Sequence, residues 1–471
     1  MRPIRLKSSR EINMLEGPIL SKIFAFVLPL MLTNLLQMCY SAADMIIVGM
    51  SDVEGAIGAI GTTGALINLI LNVFAGFAIG TSVVVARNIG RGDRQATERS
   101  VHTSLLIGLI SGSVCAALGL VICRPILASM GAEGHILDLA TLYTNIYFAG
   151  APFLALTNFE IAILRAKGDT RTSLYILAST GVINVLLNLF FVLVLRMSVD
   201  GVALATAISN AASMALLGIR LRNDEGWCRL SFRKLRIDRR AMFEIIRDGL
   251  PAGIQGALFS FSNMLIQSSV IGINNAVCPG GSDIIDGNAA AANLESLAYV
   301  AAASVSQASV TFTSQHFGAG KFRRMGRVMA NCYLVTAMTA LVSSALMVMF
   351  RMPLIGLYVS SDLAVRTAET RIFILVSTEV LCGFMEVGSG VLRGLGRPIT
   401  STTISLIGSC LLRMVWLWTI FRVSPTLETI YLSYPVSWGL TALTHLTVSL
   451  LVRRRHLRAG EEAAPAPTTA A

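Results

Sequence analysis

Residues 23–49 read IFAFVLPLMLTNLLQMCYSAADMIIVG, and no charged side chain stands between Lys22 and Asp44. A helix needs about 20 residues to cross a hydrocarbon core about 30 Å thick, so this run is long enough to span a membrane. In lipid the backbone must satisfy its own hydrogen bonds, which makes the run a helix. The basic residues before it resemble the start of a signal peptide. The apolar run, however, leads straight into Asp44 instead of a small-residue cleavage site, and reads as a retained first span.

The rest of the chain has the same character. Of its 471 residues 54% are hydrophobic and 14% charged, where a soluble domain carries about 25% charged residues. The mean hydropathy of +0.68 leaves no room for a large soluble domain. The expected fold is therefore an all-α polytopic membrane protein with twelve transmembrane helices. They lie near 21–48, 55–83, 100–123, 137–163, 172–196, 200–220, 248–272, 288–313, 327–350, 367–392, 399–421 and 430–452. The alternating short strands of a membrane barrel are missing. The second span is rich in Gly and Asn, and its small residues permit close helix packing. The eight cysteines are scattered with no CxxC pair or His cluster, so they read as small buried apolar residues, and no metal is expected.

Lys and Arg set the orientation. Of the 38 basic residues, 31 fall in the tails and in the loops after even-numbered spans. Those loops hold Arg87, Arg91, Arg94 and Arg99; Arg165, Lys167 and Arg171; Arg220–Arg247; Lys321–Arg327; and Arg393 and Arg397. The opposite loops carry Asp52, Glu54, Asp283, Asp286 and Glu428. Both termini are expected in the cytoplasm, with the protein in the plasma (inner) membrane. The net charge of +11 is thus topological, and no nucleic-acid partner is expected. The organisation reads as a cytoplasmic tail at 1–20, a first lobe at 21–222, a basic linker at 223–247, a second lobe at 248–453 and a cytoplasmic, disordered tail at 454–471.

The two lobes repeat one another. Gly90 and Gly92 of Ile-Gly-Arg-Gly-Asp recur 228 residues later as Gly318 and Gly320 of Phe-Gly-Ala-Gly-Lys. The same shift takes Leu164, Arg165 and Gly168 onto Leu392, Arg393 and Gly396. Leu28-Pro29 matches Leu250-Pro251 at a shift of 222, the difference being absorbed by a longer loop around Cys278–Gly287. Six spans per repeat give both halves one orientation, related by an axis along the membrane normal, with a cavity between them. Alternating-access carriers depend on this design.

An ionisable group deep in a span is costly and is a functional candidate by default. In the first half Asp44 shares a helical face with Gln37 and Tyr40. Asn184, Asn188 and Thr206 lie at similar depth and can converge on Asp44. Such a carboxylate suits a group that takes up and releases a proton, and it equally supplies the charge of a sodium site with Asn and Thr oxygens as neutral ligands. A network that only holds helices together is the alternative for the Asn and Thr residues. In the second half Glu379 and Glu386 share a face, with Glu386 the repeat counterpart of Asn158; both are expected to face the central cavity and attract a cationic substrate. Glu295 reads as a cavity-rim residue. Glu160 is expected to pair structurally with Arg165. Arg413 reads as the only deep basic residue, neutralising one of the carboxylates.

The motifs Asp44-Met-Ile-Ile-Val-Gly49, Ala86-Arg-Asn-Ile-Gly-Arg-Gly92, Leu164-Arg-Ala-Lys-Gly-Asp169, Asn184-Val-Leu-Leu-Asn188, Gly201-Val-Ala-Leu-Ala-Thr206, Gln315-His-Phe-Gly-Ala-Gly320 and Leu392-Arg-Gly-Leu-Gly396, with Leu-Pro in spans one and seven, resemble the multidrug and toxic compound extrusion (MATE) transporters, prokaryotic type. The resemblance runs over about residues 15–455. It implies a V-shaped pair of six-helix bundles, antiport of cationic compounds against H+ or Na+ with no cofactor and no enzyme activity, and a cation or proton site in the first lobe. The matching positions are Gln37, Tyr40, Asp44, Asn184, Asn188 and Thr206. Several similar prokaryotic members have Asp where Asn188 stands, so this site has one acid fewer. A branch resembling the NorM transporters has a Glu where this chain has Phe259; its second-lobe ion site does not carry over, and Glu379 and Glu386 are candidate replacements. The expected partners are small cationic molecules and membrane lipids, and a monomer is expected. The runner-up, a flippase for lipid-linked precursors, calls for several cavity Arg or Lys residues to hold a pyrophosphate; this chain offers deep acids instead.

Overall fold

The structure is a computed structural model describing residues 11–51, 53, 56–129 and 133–462. Arg2, Arg5, Lys7, Arg10, Asp52, Glu54 and residues 463–471 of the expected disordered tail lie outside the described residues. The helices are α1 (Ile19–Gly49), α2 (Ala56–Arg91), α3 (Arg94–Ser129), α4 (Gly134–Ala149), α5 (Ala151–Lys167), α6 (Thr170–Leu189), α7 (Val199–Arg222), α8 (Arg239–Val277), α9 (Asp283–Gly318), α10 (Phe322–Met349), α11 (Arg351–Gly356), α12 (Asp362–Ser377), α13 (Glu379–Gly394), α14 (Pro398–Ser405), α15 (Leu412–Trp418), α16 (Ile420–Val423) and α17 (Leu427–Glu462). Wide π-turns at Phe190–Val194 and Leu406–Leu411 extend α6 and join α14 to α15.

Eight helices, taking α14–α16 as one, are long and apolar enough to cross a membrane, as are the bent pairs α4–α5 and α12–α13. With the 36-residue helices α2 and α9 they make the twelve transmembrane helices of the fold. α17 carries on to Glu462, so residues 454–462 of the segment expected to be disordered are helix. The chain folds as two compact units, one of Met1–Asn13 with Ala25–Ala257 and the other of Met14–Phe24 with Leu258–Ala471.

The repeat is written in the helix ends. Gly168, at φ +95°, ends α5, with its N–H on Arg165 O and the Asp169 N–H on Leu164 O. Gly396, at φ +74°, ends the α13 segment with the same pair of bonds, to Arg393 O and from Arg397 N to Leu392 O. Gly92 and Gly320, at φ +73° and +66°, close α2 and α9 in the same way. A left-handed cap needs glycine because a Cβ there meets the following carbonyl. Asp169 then opens α6 by accepting the Thr172 N–H at 3.1 Å and its hydroxyl at 2.8 Å, an N-cap arrangement. The two bent spans turn by 48° and 47°, and their breaks, Gly150 and Thr378, are also 228 residues apart. Pro152 sits at the start of α5, where a proline is tolerated. At the second break Thr378 turns its hydroxyl back onto Ile374 O at 2.7 Å, which bends a helix.

Within the first unit α2 lies against the first half of α8, backbone to backbone. A Cβ on Gly76 would stand 2.4 Å from Gly253 N, and one on Gly80 2.4 Å from Ile245 O; only glycine allows that approach. Beside this approach Arg87 and Asp248 form an ion pair of 2.9 Å with side chains 4% and 1% exposed. Arg87 therefore belongs to α2 and not to a loop, because α2 runs on to Arg91. Lys167 is likewise buried, between Asp224 at 2.8 Å and Glu11 at 3.0 Å. The linker is ordered: the Ser231 N–H donates to His102 Nε2 and the Asp238 N–H to Thr103 Oγ1. In the second unit α9 is the central rod, packed on α10, α12 and α13.

Candidate functional site

Two groupings of polar side chains lie within the helices, one in each unit. In the first, α1 and α6 are locked together by Tyr40. Its hydroxyl donates to Ala178 O at 3.0 Å, and its ring covers Gly181 so closely that a Cβ there would be 1.8 Å from Cε2. One turn further along α1 and two turns further along α6, Asn188 Nδ2 donates to Asp44 Oδ1. The same amide lies 3.3 Å from Asn184 Oδ1, and Asn184 Nδ2 is 3.5 Å from Thr206 Oγ1 on α7. Asn188 and Asn184 are 0% and 6% exposed, and Asp44 is half-buried. Asn188 Oδ1 has no hydrogen-bond partner among the described residues, which leaves an oxygen ligand beside the carboxylate. Four of the residues singled out in the sequence thus form one chain, Asp44, Asn188, Asn184 and Thr206, and Tyr40 holds α1 to α6 one turn before Asp44. Gln37 and Asn158 stand apart. The Gln37 side chain is exposed, and Asn158 donates to its own helix at Leu154 O.

In the second unit a cavity of about 400 Å³ is lined by Glu295, Arg371, Glu379, Glu386 and Arg413, with Phe259, Tyr299, Tyr434 and Trp438 among its aromatic walls. All its lining residues belong to the second unit, so Glu379 and Glu386 line a cavity inside one lobe, where the sequence reading places them on a cavity between lobes. Glu379 is 1% exposed and its Oε1 has no hydrogen-bond partner among the described residues. Ser306 donates to the Glu386 backbone carbonyl at 3.0 Å and lies 3.5 Å from its Oε2.

Four expectations are corrected here. Arg413 neutralises no carboxylate: its Nε donates to Ser437 Oγ at 2.9 Å and its guanidinium lies 4.1 Å from the Tyr434 ring centre. Nor is it the only deep basic residue. Arg371, on α12, grips Glu295 at 2.8 and 3.2 Å and Asn288 Oδ1 at 2.7 Å. Glu295 is therefore a paired cavity residue and not a rim residue. Arg371 escapes the sequence reading because hydropathy starts the span near 367; the helix begins at Asp362, which carries Arg371 well into the span. Glu160 and Arg165 form no ion pair among the described residues, and Glu160 Oε2 and Arg165 Nε are both buried without partners. Five residues apart on one helix, they point about 140° away from each other. Among the described residues no three His, Cys, Asp or Glu side chains cluster as a metal site.

Twelve helices in two like-built units, with buried charges among them, define a polytopic membrane carrier. The MatE family model matches residues 29–190 and 251–419, and the chain belongs to that family, whose members are transporters and not enzymes. It is 25% identical over 388 residues to the Bacillus subtilis protein named "Probable multidrug resistance protein YoeA", covering 81% of this chain and 82% of that one. It is 23% identical to "Probable multidrug resistance protein NorM" of Thermotoga maritima over 82% of each. To a "FAD transporter" of Shewanella oneidensis it is 24% identical over 85% of this chain and 88% of that one. Among solved structures, an outward-facing MATE family transporter of the MOP superfamily superimposes with a TM-score of 0.88 at 20% identity, over 96% of this chain and all of that one.

Proposed function

We propose that this chain is a secondary active exporter of cationic or amphipathic organic compounds, driven by inward movement of H+ or Na+ and working by alternating access. The observation that carries the reading is the Asp44 carboxylate, held by Asn188 inside the first unit with Asn184 and Thr206 behind it. A carboxylate among neutral amide and hydroxyl groups can take a proton or a sodium ion and release it again when its surroundings change. Asp44, Asn184, Asn188 and Thr206 form the coupling site. Glu379 and Glu386, in the second unit's cavity, draw the cationic part of the substrate, and Gln37, Tyr40 and Asn158 contribute on the first unit's side. Relatives named for multidrug resistance support the substrate class. The working arrangement is a monomer in the plasma membrane, lobes 21–222 and 248–453 joined by the linker 223–247, with both termini in the cytoplasm.

The test is transport of a fluorescent cation into proteoliposomes holding the full chain, with proton and sodium gradients imposed separately. One gradient should drive wild-type transport. Asp44→Asn keeps the shape and removes the ionisation, so at equal abundance it should bind the dye yet fail to concentrate it, because antiport needs the ion to favour one conformation over the other. Undiminished gradient-driven transport by Asp44→Asn would remove Asp44 from the mechanism.

A further inference from the structure

The charges in the second unit's cavity do not cancel. Of the lining residues, Glu295 and Arg371 neutralise each other; Glu386 also feels the charge of Arg393, which lies outside the lining, and Arg413 and Glu379 form no ion pair among the described residues. Arg413 is 7% exposed and lines the cavity. Its Nε is used by Ser437, its face is covered by Tyr434, and Trp438 lies 5.8 Å away. No carboxylate among the described residues pairs with it, so the Nη edge of the fork has no anionic partner among them. A guanidinium held this way is oriented by its stacking and presents parallel donors, the geometry that matches a carboxylate.

The fold does not require these charges. At the repeat-equivalent positions 228 residues earlier, Glu295, Arg371, Glu379, Glu386 and Arg413 are replaced by Ile67, Tyr143, Ala151, Asn158 and Val185. The same six-helix topology is built there without a single charged side chain at those places. Arg413 also stands two residues past the end of the π-turn Leu406–Leu411, a local departure from α-helix that is frequent at functional sites.

We propose that this cavity takes an amphoteric, ring-bearing compound, with its acidic group on the Arg413 guanidinium, its ring beside Tyr434 and Trp438, and its cationic centre on Glu379 and Glu386. The proposal rests on the reading of the cavity as a substrate site and narrows it: the preferred substrate is a zwitterion and not a simple cation.

A matched dye pair tests this. A rhodamine with a free carboxylate is zwitterionic; the methyl ester of the same dye is a cation of nearly the same shape. Binding of each to the purified full-length protein is followed by fluorescence anisotropy. Arg413→Gln should weaken the free acid about tenfold, the usual range for losing a charged hydrogen bond, and leave the ester within about twofold. Arg413→Lys keeps the charge without the fork and should recover part of the preference for the acid; it also serves if the Gln variant does not assemble. Glu379→Gln with Glu386→Gln should weaken both dyes. Equal weakening of acid and ester by the Arg413 substitutions, or no weakening, overturns the proposal. If the ester binds in a Glu-dependent way while Arg413 does not matter, the cation reading stands and this inference alone falls. If wild-type protein binds neither dye in this cavity, both fall.

Discussion

Placing a single methyl group on Gly181 tests how the first unit's polar chain is held. The Cβ of Gly181→Ala would sit 1.8 Å from Tyr40 Cε2 and 2.1 Å from Cζ. Carbon atoms rest at about 3.5–4.0 Å, so the ring must retreat by about 2 Å. The 3.0 Å bond from the Tyr40 hydroxyl to Ala178 O does not survive that displacement. Its loss costs about 1 kcal/mol, and overpacking adds about 1–3 kcal/mol. Tyr40 is one turn from Asp44 on α1, so the same movement draws the carboxylate away from Asn188. Gly181→Ala should therefore lower the thermal stability of the purified protein and reduce gradient-driven dye transport together. Tyr40→Ala removes the ring, and in its presence the added methyl should cost almost nothing. That makes the double-mutant cycle strongly non-additive. Wild-type stability and transport in Gly181→Ala, or single effects that simply add, would refute the geometry argued here.

Two further outcomes concern the frame. Arg87→Met should destabilise the first unit by about 1.5–3 kcal/mol, the range for losing a charged hydrogen bond, because it leaves the buried Asp248 carboxylate to Arg247 alone among the described residues, at 3.3 Å; the fall is read as a lowered unfolding temperature, and Arg87→Met with Asp248→Leu should recover most of it, whereas no recovery would mean that the pair does more than hold α2 to α8. Gly168→Ala and Gly396→Ala each force a Cβ into a left-handed cap and should each cost about 1–2 kcal/mol, with closely similar falls in unfolding temperature, since the two caps carry the same two hydrogen bonds.

The architecture is legible because membrane insertion writes itself into composition and period. Apolar runs of spanning length, the basic residues on alternate loops and the 228-residue shift are all local or one-dimensional signals. The glycines that mark the repeat are visible for the same reason: a left-handed cap admits almost no other residue. The first unit's polar grouping is legible as well, because residues such as Asn184 and Asn188 are one turn apart and polar side chains in apolar helices are rare. Pairing across helices is not. That Arg371 takes Glu295 while Arg413 takes the face of Tyr434 depends on which helices are neighbours and on where α12 begins, and spacing along one helix carries neither. Glu160 and Arg165 show the opposite error, since nearness in sequence suggests a pairing that the helical turn forbids. The bend in the α4–α5 span has a visible sign in Pro152; that in α12–α13 depends on a threonine hydroxyl, which no simple pattern marks.

Symmetry of the frame and asymmetry of its contents belong to one argument. The caps at Gly92 and Gly320 and at Gly168 and Gly396, and the near-equal bends of 48° and 47°, are what two copies of one bundle must share to keep the same helix ends and angles. The polar contents differ where nothing in the frame constrains them. The first unit places one carboxylate among neutral amides, a setting suited to a small ion that needs a charge and a few oxygen atoms. The second unit places charges of both signs around a space of about 400 Å³, a setting suited to an organic molecule with charged groups at a distance from each other. An antiporter needs its ion and its substrate to stabilise different states of the protein, and it does not need them to touch. On the function proposed above the two ligands bind in separate units, which satisfies that requirement. On that reading coupling comes from the state that each ligand favours, so Asp44→Asn should abolish gradient-driven accumulation while leaving the affinity of the second unit's cavity for its dye unchanged.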